Sequence, residues 1–190
     1  DVDLLYGPPG NTLHYAGVGM QLAAGLMERN TGTDWQTYFA ANVAAPLGMS
    51  STDYLGYLSG VVSTDNPNTA GSGRSSIDDY AALLQMILDD GVHSGSQFLP
   101  RRIVRELVQS RSRNLPVSRT PYDSYVDVAP RVAGFRTCMG AWVLDDSPPG
   151  NLPAFLNSGG AWGRQPFIDF KSQLVGVFLP FNTALDGDTQ

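Results

Sequence analysis

Cysteine is nearly absent from this 190-residue sequence: Cys138 stands alone, which excludes an internal disulfide framework. Lysine is equally scarce, with Lys171 the only one among 12 basic residues. The net charge is −6 and no Lys/Arg stripe with interleaved aromatics occurs, so no nucleic-acid partner is expected. His14, His93 and Cys138 lie too far apart for metal-ligand spacing, and neither a metal nor an organic cofactor is expected. No apolar run approaches the ~20 residues of a membrane helix, so no membrane span is expected. The first residues lack the basic, apolar and small-residue regions of a signal peptide. None of this assigns a compartment. Gly17-Val18-Gly19 begins like a dinucleotide fingerprint, but Leu22 stands where the third glycine belongs and no strand precedes it.

The sequence does have enough apolar residues, 42% of 190, to bury a core in a single domain. After an irregular lead-in broken by Pro8, Pro9 and Gly10, a helix is expected from Gly17 to Arg29, with Val18, Leu22 and Leu26 as its apolar stripe and Gly32 as its stop. Thr33 and Gln36 suit a capping box for a second helix, which carries Trp35 and Phe39 and ends before Pro46. Residues 50–74 read as a long surface excursion of the kind that serves a site or a partner. Ser76 and Asp79 open a third helix with Ile77, Tyr80, Leu84, Ile87 and Leu88 on one face. Gly91–Gly95 is a turn, and Pro100 starts a fourth helix whose buried side is Ile103, Val104, Leu107 and Val108. Strands are expected over Thr137–Leu144, Pro166–Phe170 and Leu174–Leu179, the last a continuous apolar run buried on both faces. Helices first and an antiparallel meander last make an α+β fold.

Several short segments carry more than periodicity. Tyr15-Ala16-Gly17 follows a Pro-Gly turn and leads through Met27-Glu28 to Pro46-Leu47-Gly48-Met49. Ala70-Gly71-Ser72-Gly73-Arg74-Ser75-Ser76-Ile77-Asp78-Asp79-Tyr80 joins a Gly-rich turn to a helix start, followed by Asp89-Asp90-Gly91 and Phe98-Leu99-Pro100. Asn157-Ser158-Gly159-Gly160-Ala161-Trp162-Gly163 precedes the terminal hairpin. In this order and spacing the segments resemble the serine β-lactamase-like superfamily, which includes class C β-lactamases, D-alanyl-D-alanine peptidases and related esterases. The resemblance implies one domain over residues 1–190, with a helical part at about 14–131 and antiparallel strands at about 135–182. It implies that Tyr15 relays the proton between nucleophile, leaving group and water, and that Gly160 supplies a backbone N–H to the oxyanion hole. Asn157, Ser158 and Gly159 would form a substrate-binding edge strand, Ser158 offering its hydroxyl.

Three positions depart from that pattern. Gly17 stands where the family has asparagine, and neutral Asn157 where it often has lysine. The third is a complete absence: Ile168 lies three residues before Lys171, so no Ser-x-x-Lys exists anywhere. In this chemistry the serine carries the acyl group and the lysine helps deprotonate it. The resemblance therefore implies the C-terminal portion of such a fold lacking its N-terminal part, with an N-terminal segment or partner chain completing it. Two readings compete: part of a serine hydrolase acting on a small ester or amide, and a binding or structural protein that kept the fold without catalysis. If the first holds, the Tyr15 hydroxyl should face Ser158 across a groove, with Trp162 and the 50–74 excursion at its rim. The missing nucleophile yields a direct expectation: the chain alone hydrolyses neither lactams nor p-nitrophenyl esters and takes up no fluorophosphonate. Intact-mass detection of stoichiometric labelling at any serine would overturn it.

Overall fold

The structure, a computed structural model, describes residues 8, 10–55, 67–112, 115–119, 135–144, 151–160 and 163–180. Strand β1 (Leu13–His14) is followed by helices α1 (Val18–Thr31) and α2 (Trp35–Phe39), a π-helical turn (Ala40–Ala44) and α3 (Ala45–Leu47). Then come α4 (Ile77–Leu88), a hairpin of β2 (Val92–His93) and β3 (Ser96–Gln97), and α5 (Arg101–Val108). The remaining strands are β4 (Val117–Arg119), β5 (Phe135–Thr137), β6 (Trp142–Leu144), β7 (Phe155–Asn157), β8 (Gln165–Asp169) and β9 (Leu174–Phe178). The α+β order expected from the sequence is what forms. No helix among the described residues is long and apolar enough to cross a membrane. Two compact units divide the chain: Ala16–Pro100, and the stretches on either side of it.

In the helical unit, α1 stops where Gly32 turns left-handed (φ 69°) and its N–H meets the Glu28 carbonyl at 2.8 Å. The face α1 turns inward differs from the one its apolar pattern suggests. Val18, Leu22 and Leu26 are exposed, whereas Ala24 is buried. Polar anchors set this rotation. Gln21 donates to the Pro67 carbonyl (3.1 Å) and accepts from the Thr69 N–H (3.0 Å), and the Glu28 carboxylate accepts the Trp35 N–H (2.8 Å). A Cβ on Gly17 would lie 2.8 Å from that of Ala70, so a side chain there is sterically excluded without a shift. Gly17, Gln21, Ala24 and Glu28 recur at helical spacing on a face offset from the apolar stripe.

The cap of α2 is Asp34, which accepts from the Thr37 N–H at 2.9 Å, and not the expected Thr33–Gln36 box. Gln36 instead accepts the Tyr54 N–H at 2.7 Å. The helical path also runs past Pro46 to Gly48 (φ 71°) and does not end before the proline. The wider π turn immediately upstream accommodates a residue that lacks an N–H and whose ring would crowd the carbonyl four residues back. Phe39, Ala44, Leu47, Met49 and Met86 form the core here, and the rings of Trp35 and Phe39 both meet Tyr54 edge-on, with centroids 5.3 and 5.0 Å apart. Ser76 caps α4 as expected, accepting from the Asp79 N–H at 3.1 Å. Ile77 is exposed, however, and the buried positions are Asp79, Leu84, Met86 and Leu88. The turn expected at Gly91–Gly95 is part of the β2–β3 hairpin, with Ser94 and Gly95 both at positive φ.

In the second unit β1 runs parallel to β4, and the other strands form one antiparallel sheet in the order β5-β6-β7-β8-β9. Thr137–Leu144, expected as a single strand, is the end of β5, a turn at Cys138–Ala141 and the whole of β6. Leu174–Leu179 is not buried on both faces: among the described residues β9 is an outer strand of the sheet, and Leu174 and Phe178 are exposed. Val143, Leu156, Ile168 and Val175 are aligned across four strands, the first three of them buried. The neighbouring row is Trp142, Asn157, Phe167 and Gly176 on the opposite face. Phe167 folds over Gly176, where an added Cβ would come within 2.2 Å of the ring. Replacing Gly176 by Ala should therefore cost about 1–3 kcal/mol as an overpacking change. Urea unfolding should show a lower midpoint at unchanged slope; an unaltered midpoint would refute the close fit.

Candidate functional site

Two of the candidate residues, Tyr15 and Asn157, each adjoin Trp142 of the sheet. The Leu13 N–H donates to the Pro116 carbonyl at 2.9 Å, fixing β1 against β4 and delivering Tyr15 just beyond it. The half-buried Tyr15 ring packs on Trp142 with centroids 6.2 Å apart and planes tilted 35°. Trp142, itself buried, is the cross-strand partner of Asn157. Directly opposed residues on antiparallel strands share a face, so Tyr15 reaches the face of Asn157 through one intervening indole. More than 140 residues separate Tyr15 from Asn157 in sequence, far beyond the reach of any local hydrophobic pattern, and the Trp142–Asn157 register relates them.

Asn157 ends β7, the central strand of the five-stranded sheet. Its side chain is engaged at both atoms. Nδ2 donates to Gln165 Oε1 at 2.7 Å and to the Pro166 carbonyl at 3.4 Å, while Oδ1 accepts the Gly159 N–H at 2.9 Å. Ser158 donates its N–H to the Pro166 carbonyl (3.1 Å), and its hydroxyl sits 3.5 Å from the Gly140 carbonyl in the β5–β6 turn. Gly160 is exposed, and its N–H, the expected oxyanion donor, is spent on the Arg164 carbonyl at 2.9 Å. Trp162 and residues 56–66 of the excursion lie outside the described residues. The ends of that excursion are closed by Asp53 and Arg74, whose backbones bridge and whose side chains pair at 2.9 and 2.8 Å. The Arg74 guanidinium holds the Asp53 carboxyl below its usual range.

Trp142 and Gln165 were not singled out in the sequence. Their signal is cross-strand register, which a single sequence does not display. Cys138 lies in the β5–β6 turn that precedes Trp142, buried, with its thiol 3.4 Å from the Ala141 carbonyl. Burial pushes that thiol up to about 11.

Comparison with known proteins places these features in context. The family model described as Beta-lactamase matches residues 5–183. No curated protein matches in sequence. Among solved structures, a candidate beta-lactamase from Bacteroides dorei DSM 17855 superposes with a TM-score of 0.71 at 21% identity, covering 93% of this chain and 53% of that one. EstCE1, a hydrolase with promiscuous acyltransferase activity, gives 0.64 at 15% identity, covering 91% and 52%. A penicillin-binding protein from Bacillus halodurans gives 0.59 at 18% identity, covering 92% and 53%. At these identities the likeness shows the fold, and the chain spans about half the length of each.

The state of Cys138 makes it unfit as a substitute nucleophile, because the thiolate is the reactive form. At pH 8 the native chain should react with a disulfide reagent such as DTNB at least about 100-fold more slowly than the chain unfolded in guanidinium. Equal rates would show that the thiol is accessible and not held neutral.

Proposed function

The chain belongs to the beta-lactamase family, and from that premise we propose that it forms the proton-relay and strand wall of an acyl-transfer site. The serine and lysine would come from a segment outside these 190 residues, on the same polypeptide or on a partner. The serine hydroxyl attacks the carbonyl of a small ester or amide, and its proton passes to the leaving alcohol or amine through Tyr15. Water then attacks the acyl-serine, giving up a proton along the same path and releasing the acid. The contact of Tyr15 with Trp142, in register with Asn157, carries this reading, because it brings the relay tyrosine to the face of the Asn157-Ser158-Gly159 strand end. Neutral Asn157 lacks the positive charge that would draw a carboxylate, which favours an uncharged ester over a carboxylate-bearing lactam. The completing segment would also cover the open edge of β9, where Leu174 and Phe178 are exposed.

A second reading is a non-catalytic binding or structural protein on the same fold. It is favoured by Gly17 at the asparagine position and by the Gly159 N–H, which is held by the Asn157 side chain. Intact mass and fluorophosphonate labelling of native material separate the two. The hydrolase reading expects a longer parent or a bound polypeptide carrying Ser-x-x-Lys, labelled at that serine. It also expects Tyr15→Phe to lower kcat toward a p-nitrophenyl ester by about 10²–10⁴-fold. Native material without such a segment and without labelling, or a Tyr15→Phe enzyme of full activity, would overturn it in favour of the second reading.

A further inference from the structure

We infer that Gln165 is a positioning residue of this site, acting through Asn157 to fix the turn that carries Ser158, Gly159 and Gly160. The inference rests on the acyl-transfer reading for its functional meaning and on hydrogen-bond geometry for its substance. A backbone N–H can only donate, so the Asn157 atom 2.9 Å from Gly159 N must be the carbonyl oxygen. The other side-chain atom is then the NH2 group, and it meets Gln165 at 2.7 Å, where only the amide oxygen of Gln165 can accept it. The two amides thus have one consistent orientation, running from Gln165 through Asn157 to the Gly159 N–H.

The register supports the same chain of contacts. Asn157 pairs with Phe167, and Gln165 lies two residues before Phe167 on the same strand, hence on the same face and diagonal to Asn157. The segment this pair restrains contains two consecutive glycines, which carry the greatest backbone freedom and need an external restraint to hold a fixed geometry. Groups that act on a reacting carbonyl must stay within about 0.5 Å of their productive positions. Asn157, with both polar atoms turned to protein partners, is therefore assigned to positioning, and direct contact with the acyl group falls to Ser158 and the backbone beyond it.

Amide hydrogen exchange on the 190-residue chain tests this without requiring turnover. Gln165→Ala and Asn157→Ala should each speed exchange of the Gly159 amide by about tenfold, the effect of losing one part-buried hydrogen bond. The double variant should go no further than either single change, since both remove the same restraint. Gln165→Glu keeps the accepting oxygen and should leave Gly159 within about twofold of the parent. The Phe170 amide, bonded to the Ala154 carbonyl at the far end of the same hairpin, is the reference and should not move. Additive effects in the double variant, an unchanged Gly159 in Gln165→Ala, or failure of Glu to preserve protection would each overturn the inference. If Gln165→Ala loosens the whole hairpin, additivity and the Glu variant still decide. A negative fluorophosphonate result would remove the hydrolase reading and leave the exchange result intact, so the two failures are distinguishable.

Discussion

The pairing of Trp142 with Asn157 is the constraint on which the candidate site depends. It sets β6 against β7 so that Trp142, Asn157 and Phe167 share one face while Val143, Leu156 and Ile168 share the other. A slip of one residue would exchange the two rows, burying an amide among aliphatic side chains and turning Val143 toward Tyr15. Burial of Val143 and Ile168, both fully shielded, makes that exchange costly. Phe167 adds a steric key, since its ring fits only over a residue without a Cβ and Gly176 lies directly across from it. Tyr15 gains its place from the same row, through the indole of Trp142.

The helical unit is held by polar anchors more than its apolar patterns suggest. Asp79 is buried, yet its carboxylate accepts from the Ser51 N–H at 2.7 Å and the Thr52 hydroxyl at 2.8 Å. A buried carboxylate so satisfied ties the start of α4 to the segment after Gly48, and removing it would cost the Ser51 N–H its acceptor, while the Thr52 hydroxyl keeps Ser75 at 2.7 Å. Gln21 and Glu28 do the same for α1. These bonds, and not the apolar stripe, choose the face that α1 turns inward.

That difference explains what could be read from the sequence. Local chemistry was legible: the Ser76 cap, the left-handed Gly32 stop, and the motif order that gives the family. Features decided by distant partners were not. Asp34 takes the cap, and Gln36 bonds the distant Tyr54 N–H. The apolar run at Leu174 looks doubly buried in sequence, but β9 has a neighbour on one side only among the described strands. For the candidate site, Tyr15 and Asn157-Ser158-Gly159-Gly160 are expectations from motif order, whereas the contacts of Trp142 with Tyr15 and of Gln165 with Asn157 depend on register.

The occupied Gly160 N–H bears directly on whether such a strand end can serve catalysis. In this structure it donates to the Arg164 carbonyl, a neutral backbone bond worth about 0.5–1.5 kcal/mol net. A donor aimed at a developing oxyanion is worth about 2.7–4 kcal/mol in the transition state. Exchange of one for the other is therefore favourable once an oxyanion forms, and unfavourable toward a neutral carbonyl that offers no more than Arg164 does. Such a donor would discriminate between ground and transition states, which is the only kind of interaction that accelerates the chemical step. The engaged glycine amide is thus compatible with acyl transfer, and the feature that separates the two readings is the presence of a serine and lysine to generate the oxyanion.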